Sequence, residues 1–167
     1  DLTETSISSL ADSAYGMWTF CQTRSPGHTK IRAFVEKRDM KDNHVPQTIV
    51  EIVNDNMPFL VDSVIGAINS LGYSTHLVIH PVMRIERDKT HELKAISQLK
   101  EGNKNTEFES IIHCEIPENS SPAKLKILEE EVARSLNDVR VAVHDWQAMR
   151  DRLQTVIKNF TAYPPPI

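Results

Sequence analysis

The chain has 167 residues, of which 40% are apolar and 25% are charged, and its formal net charge is −4 at pH 7. This composition excludes wholesale disorder, and the length suits one compact core with helical additions. The negative charge and the lack of a long basic run exclude non-specific nucleic-acid binding, because such binding needs several cations facing phosphates. No apolar run approaches the ~20 residues of a membrane span, and no secretion signal is visible at the start.

The cysteines and the two ends of the sequence indicate the setting of the chain. Cys21 and Cys114 lie among apolar neighbours without Cys-x-x-Cys spacing, so we expect buried, reduced thiols and a cytoplasmic location. The chain opens on Asp1 and closes on Tyr-Pro-Pro-Pro-Ile, and serial prolines favour an extended spacer. We therefore expect a segment of a longer protein, with residues 163–167 starting a linker.

The first part of the chain predicts a helix, a turn, a strand and a loop. Apolar residues recur every three or four positions over residues 6–24, which predicts a helix that packs on the body of the domain. A Ser-Pro-Gly turn follows, and alternation over residues 30–35 predicts a short strand. The charged residues 36–46 have no pattern and predict a solvated loop.

Residues 48–72 carry the strongest local pattern, a strand followed by a polar loop and a helix. The β-branched run at residues 48–53 predicts a buried strand, and the Asn-Asp-Asn sequence after it ends the strand. Pro58 suits a first helical turn, and Gly72 suits the end of the helix. The helix is predicted to bury one apolar stripe, which consists of Leu60, Val61, Val64, Ile65, Ile68 and Leu71.

Further strands are expected after this helix. One is predicted over residues 74–87, with an edge position or a bulge at Pro81, which cannot donate a ladder hydrogen bond. A hairpin turn, a return strand at residues 91–99 and a polar loop at residues 101–105 follow, and residues 109–116 predict another strand. Alternation places four side chains on one side of the strand at residues 74–87, which is taken to be the core side: Leu77, Ile79, Met83 and Ile85. In the strand at residues 109–116 it directs Ile112, Cys114 and Ile116 to the core.

Two helices are predicted at the end of the chain. The first opens at Pro122, and Asn137 and Asp138 are expected to break it. The second runs to Phe160, and its Trp146 is expected to be a packing residue.

The order of these elements predicts an α+β fold, a ferredoxin-like antiparallel sheet with helices on one face and extra N- and C-terminal helices. The central order β-α-β-β-α is the ferredoxin-like plait without its last strand. The early strand at residues 30–35 could supply the missing partner.

The loop sequence Asn-Met-Pro-Phe-Leu-Val at residues 56–61 resembles the ligand loop of the ACT family, small βαββαβ regulatory domains in which it often reads Asp-Arg-Pro-Gly-Leu-Leu. Phe59 stands where many members carry the glycine that lets backbone amides approach an amino-acid ligand. The resemblance implies an effector loop, whereas turn and cap chemistry alone would also explain these residues. The loop consists of Asn54, Asp55, Asn56, Met57, Pro58, Phe59, Leu60 and Val61.

The resemblance also sets the expected domain boundaries. An ACT-like domain is predicted over residues 29–137. It follows an N-terminal helix and turn at residues 1–28 and precedes a C-terminal helical extension at residues 138–162.

A wider resemblance rests on Glu-Ile-Val-Asn-Asp-Asn-Met-Pro-Phe-Leu-Val-Asp-Ser-Val at residues 51–64 and His-Leu-Val-Ile-His-Pro-Val at residues 76–82. Both are similar to the N-terminal region of the very large bacterial NAD-dependent glutamate dehydrogenases. The resemblance implies a parent enzyme that converts glutamate, NAD and water to 2-oxoglutarate, ammonia and NADH in a catalytic domain outside this chain.

For the chain itself the resemblance implies a non-catalytic regulatory or oligomerisation module with no catalytic, cofactor-binding or metal-binding residues. Its partners would be other domains and subunits of the same enzyme and an amino-acid effector. A purely structural interaction domain that binds no small molecule is the alternative.

A second group of polar residues is predicted on the sheet face away from the helices. Such a group could bind an anion or a divalent metal, and a stand-alone metal-dependent enzyme would follow from it. The simpler interpretation is a polar sheet face that is solvated or docked on another domain. Its members are Glu51, His76, His80, Arg84, His113 and Glu115.

Overall fold

The computed structural model describes residues 7–36, 46–97, 107–117 and 120–162. Its elements are α1 (Ile7–Cys21), β1 (Lys30–Val35), β2 (Thr48–Asp55), α2 (Leu60–Ser70), β3 (Leu77–Ile79), β4 (Val82–Arg87), β5 (Leu93–Ser97), β6 (Glu107–Ile116) and α3 (Pro122–Ala162). Most of the predicted loop at 36–46, the predicted loop at 101–105 and the predicted linker at 163–167 lie outside the described residues.

The strands form one antiparallel sheet in the order β1-β2-β6-β4-β5, and β3 also pairs with β6. The predicted α+β, ferredoxin-like architecture is confirmed. Strand β1 lies antiparallel to β2, with Ile31 opposite Ile52, at the edge where the last strand of the plait would lie. The early strand therefore supplies the missing partner, as expected.

Helices α2 and α3 cover one face of the sheet and enclose the main core. The β-branched residues of β2 are buried along nearly the whole strand because helices lie on both of its faces. Ile112, Cys114 and Ile116 face this core, as predicted. The remaining buried members are Val50, Ile52, Leu60, Val64, Ala67, Ile68, Leu128, Val132 and Leu136.

Helix α1 lies on the opposite face of the sheet, where Phe20 and Cys21 pack against Val53 and Ile111 in a second, smaller core. The expected packing of this helix on the domain is confirmed. The predicted burial of both thiols is also confirmed, and burial raises the pKa of Cys21 to about 11 and that of Cys114 to about 12. Both thiols are therefore protonated at neutral pH.

The segment predicted as one strand over residues 74–87 forms two strands, β3 and β4, which pair with β6 in one continuous register. Ile79 lies opposite His113 and Val82 lies opposite Ser110, and the ladder is interrupted between them at His80 and Pro81. The carbonyl of Pro81 still accepts a hydrogen bond from the Ile111 amide at 3.0 Å. Proline has no backbone N–H to donate to the ladder, which explains this interruption.

The predicted direction of the side chains in this segment was wrong. Val78 lies opposite Cys114 and packs against the main core. Leu77, Ile79, Met83 and Ile85 do share one face, but it is the α1 face of the sheet. Because residues 77–79 are all apolar, alternation could not determine which face was which.

The predicted break at Asn137 and Asp138 was also wrong, since α3 is one helix of 41 residues. Asp138 accepts a hydrogen bond from Arg134, one turn earlier, at 3.2 Å. Asn and Asp are weak helix formers but cost only about 0.7 kcal/mol each, so a long amphipathic helix tolerates them. The helical extension at 138–162 is therefore the second half of α3.

In the described part of the chain, no helix is both long and apolar enough to cross a membrane.

Candidate functional site at the end of β2

The loop between β2 and α2 has a left-handed residue at its centre. Phe59 has φ 66° and ψ 9°, and its side chain is 65% exposed. A non-glycine residue in this conformation costs roughly 1–2 kcal/mol, whereas glycine adopts it freely. The backbone therefore has a conformation that glycine adopts without strain, although the residue is phenylalanine.

Other loop residues are held by the body of the domain. The amide oxygen of buried Asn54 accepts hydrogen bonds from Thr29 Oγ1 at 2.9 Å and from Arg140 Nη2 at 2.6 Å. Asn56 accepts from Ser110 Oγ at 2.9 Å. Met57 packs against the main core and Leu60 is buried in it. Pro58 is exposed and Val61 is half-buried.

Asp55 connects this loop to a buried ion-pair network. Its Oδ1 accepts from Arg24 Nη2 at 2.8 Å, its Oδ2 accepts from Arg140 Nη1 at 2.8 Å, and the Gly27 amide donates to Oδ2 at 3.0 Å. Burial alone would raise the pKa of Asp55, but hydrogen bonds from Arg140 and Arg24 outweigh burial and lower it. The carboxylate is therefore ionised and held in place.

The second carboxylate of the network is Glu109, which is 2% exposed. Arg87 binds it with two hydrogen bonds, Nε to Oε1 at 2.7 Å and Nη2 to Oε2 at 2.8 Å. Arg24 Nη2 reaches Oε1 at 2.9 Å. Burial opposes ionisation, but the bonds from Arg87 and Arg24 outweigh it and lower the pKa of Glu109.

Sequence reasoning missed Arg24, Arg87, Glu109 and Arg140. Arg24 and Glu109 are 85 positions apart in the sequence, so no local spacing links them. The available signal was weak: a glutamate within the predicted strand at residues 109–116 and an arginine at the end of another predicted strand.

The second predicted group does not form one site. Paired residues of antiparallel strands share a face, so Glu51, His113 and Glu115 lie on the α1 side of the sheet. The positions of His76, His80 and Arg84 alternate with Leu77, Ile79 and Met83 and therefore lie on the other side. The predicted grouping of six residues on one face was wrong for the same reason as the strand direction.

Residues His76, His80 and Arg84 have separate environments. Arg84 lies over the ring of Phe108, with 5.2 Å between the guanidinium carbon and the ring centroid. Burial lowers the pKa of His80, and His76 is exposed.

Glu51, His113 and Glu115 do come together beneath α1. Glu51 is 1% exposed and pairs with Arg32, whose Nε lies 2.5 Å from Oε2. His113 lies between the carboxylates, with Nδ1 3.3 Å from Glu51 and Nε2 3.5 Å from Glu115. Burial alone would lower the pKa of His113, but its bonds to Glu115 and Glu51 raise it to about 9. A cavity of about 280 Å³ adjoins this group and α1.

Among the described residues, no group of three His, Cys, Asp or Glu side chains is arranged to hold a metal ion. The trio beneath α1 is held by ion pairs within the protein.

An antiparallel plait with a loop and a helix directly after its central strand defines the class of small ACT-like α+β domains. Residues 1–132 match the family described as "Glutamate dehydrogenase, ACT1 domain", and the chain belongs to that family.

Two curated relatives of the chain are glutamate dehydrogenases. An NAD-specific glutamate dehydrogenase of Halomonas elongata is 29% identical over 168 residues, which cover 99% of this chain and 10% of the relative. One of Pseudomonas aeruginosa is 28% identical over 160 residues, which cover 94% of this chain and 10% of the relative. The chain thus spans about a tenth of the length of these relatives.

Replacing Arg24 with Met should lower the free energy of unfolding by about 3 kcal/mol, because it removes two buried hydrogen bonds to charged groups, from Arg24 to Asp55 and to Glu109. Arg140 and Arg87 still bind these carboxylates in the variant. Urea unfolding of the variant measures this. The control is Arg134→Met, which removes an exposed arginine from its pairs with Glu131 and Asp138 and should change nothing measurable. Equal stability of both variants would contradict the assigned role of Arg24.

The raised pKa of His113 predicts a loss of stability in mild alkali. A histidine with an ordinary pKa of 6.5 in the unfolded chain and about 9 in the folded chain stabilises fully below pH 6.5. That contribution, on the order of 3 kcal/mol, is lost as the pH rises from about 6.5 to 9.

Urea unfolding across this pH range tests the expectation. The variant His113→Gln should lose the slope, and His144→Gln, which changes an exposed histidine of α3, should keep it. A slope that persists in His113→Gln would assign it to another group.

Proposed function

We propose that this chain is a non-catalytic regulatory and assembly module of a larger NAD-dependent glutamate dehydrogenase. The observation that carries the proposal is the family match over residues 1–132, together with coverage of only a tenth of each NAD-specific relative. The parent enzyme would convert glutamate, NAD and water to 2-oxoglutarate, ammonia and NADH, with NAD bound outside this chain. Its cytoplasmic location and its partners, other domains and subunits of the enzyme, belong to the same proposal.

The use of the buried charges supports a non-catalytic role. Asp55 and Glu109 are bound by arginines, and Glu51 is bound by Arg32 and His113. A general acid or base must reach a substrate atom, whereas these groups hold parts of the domain together.

We further propose that an amino-acid effector binds at the loop of residues 54–61. The N-cap residue Phe59 provides no side-chain hydrogen bond to the first turn of α2, so backbone amides at this helix start can receive a carboxylate. The left-handed backbone at Phe59 supports this, because it is a conformation that glycine, the residue that many ACT domains carry there, adopts without strain.

The loop is also connected to α3, which gives regulation a physical route. Arg140 of α3 binds both Asn54 and Asp55. A ligand that favours one position of these residues favours one position of α3. It can regulate only if it binds two states of the enzyme with different affinities.

One observation favours the alternative, a purely structural interaction domain. The side chains of Asn54, Asp55 and Asn56 are all engaged within the domain. These long-range hydrogen bonds and ion pairs within the domain account for the three residues without a ligand.

Calorimetric titration of the chain with each common amino acid separates the two functions. Binding should be seen for at least one, and Pro58→Glu should weaken it at least tenfold, because the new carboxylate competes at the start of α2. The control Pro122→Glu places the same charge at the start of α3 and should not change the affinity. Absence of heat and thermal shift for every amino acid would favour the structural alternative.

The non-catalytic role has its own test. The chain mixed with glutamate and NAD should form no NADH beyond the rate without protein, as followed by NADH absorbance. Turnover that scales with the concentration of this chain would overturn the proposal.

A further inference from the structure

The second half of α3 carries large apolar side chains that the domain does not cover. The first half of the helix contributes Leu128, Val132 and Leu136 to the main core. Beyond Arg140, seven large apolar residues are between 41% and 65% exposed, although Trp146 was expected to pack. Two of them are Val141 58% and Ile157 55%. The other five share one stripe of the helix: Trp146 57%, Met149 65%, Leu153 60%, Val156 41% and Phe160 59%.

These side chains follow a strict heptad pattern. Their positions, continued back to Val139, are separated alternately by three and four residues. Apolar residues at this spacing, the a and d positions of a heptad, form the seam of a left-handed coiled coil. The heptad stripe consists of Val139, Ala142, Trp146, Met149, Leu153, Val156 and Phe160.

We propose that the heptad stripe pairs with the same stripe of a second copy of this chain, in antiparallel orientation. This dimer gives the proposed assembly role a specific surface and a specific partner. The dimer proposal therefore rests on the assembly role proposed above. A two-fold interface uses the same surface on both copies, so one stripe is sufficient.

The domain itself determines the orientation. The same heptad register, continued toward the start of α3, passes through Leu128, Val132 and Ser135. These positions face the domain: Leu128 and Val132 are in the core, and Ser135 Oγ donates to the Ser63 carbonyl of α2 at 3.2 Å. A parallel partner in register would have to pass through the space of α2. An antiparallel partner with Trp146 opposite Met149 places its own domain at the far end of the helix. Only its last turn, near Phe160, comes to the level of Ser135.

The charges beside the stripe fit an antiparallel pair. In such a pair, g positions face g positions and e positions face e positions, and their charges determine orientation. With Trp146 opposite the partner's Met149, Asp145 at g lies beside the partner's Arg152, also at g. The two-fold axis repeats this pair. Arg150 at e lies beside the partner's Val143, so these positions bring no like charges together.

The size of the surface is adequate for a specific dimer. Covering the five exposed side chains removes on the order of 500 Å² of apolar surface from each helix, or about 1,000 Å² for the pair. Specific interfaces begin at this size, and the flanking residues add to it.

Sedimentation equilibrium of the 167-residue chain should show a dimer. Leu153→Glu, which puts a charge in the seam, should weaken it at least a hundredfold. Val141→Glu is the matched control, since Val141 is 58% exposed on the same helix but lies off the stripe, and it should leave the dimer unchanged. Circular dichroism should show equal helix content in both variants.

These results distinguish a failure of the heptad stripe as the interface from a failure of the proposed assembly role. A dimer that survives Leu153→Glu overturns the proposed surface and leaves the assembly role standing. A chain that stays monomeric at millimolar concentration overturns the self-association proposed here, while assembly through other parts of the parent enzyme stays testable in the longer protein.

Charge reversal and cross-linking test the orientation. Arg152→Asp should weaken the dimer roughly tenfold, and the double variant with Asp145→Arg should restore it.

In a mixture of Ala142→Cys and Leu153→Cys chains, the antiparallel alignment predicts a mixed disulfide between positions 142 and 153. The native cysteines are buried and present in both chains. Disulfides formed only between identical positions, or no rescue by the double variant, would overturn the antiparallel pair.

Discussion

The contact of the buried Arg24 guanidinium with Asp55 and Glu109 is the constraint on which the arrangement of the domain depends. Removing charges from water is expensive, and each remains buried only while its partners are in place. Arg24 follows α1, Asp55 ends β2 and Glu109 lies near the start of β6. With Arg87 and Arg140, the network fixes the ends of two central strands, a hairpin and α3 relative to one another.

The candidate loop takes its position from this network. Asp55 immediately precedes the loop and is bound on both sides, by Arg24 and by Arg140. The loop therefore starts from a fixed point, and the left-handed turn at Phe59 leads directly into α2. Because the backbone conformation is imposed from both ends, phenylalanine can occupy a position that glycine would fill without strain.

Local patterns predicted the elements whose determinants are local. The β-branched run of β2 and the spacing of three and four residues in α2 each lie within one element. The alternation that predicted the core positions of Ile112 and Cys114 likewise lies within β6. The direction of residues 77–79 could not be predicted, because both faces of that strand are apolar and the choice depends on β6. The network of Arg24 and Glu109 escaped prediction because it depends on the completed fold, and α3 continued through Asn137 because one weak helix former costs less than ending the helix.

Arg140 stands where the two halves of α3 meet. Its guanidinium binds Asn54 and Asp55 at the start of the loop, and the exposed part of the heptad stripe begins within two turns after it. One rigid helix therefore connects the proposed effector loop with the proposed dimer seam. If pairing of the stripes favours one position of α3, it must change effector affinity by the same factor by which the effector changes pairing, since linkage is reciprocal. Assembly and effector binding in this module are then two measures of a single coupling free energy.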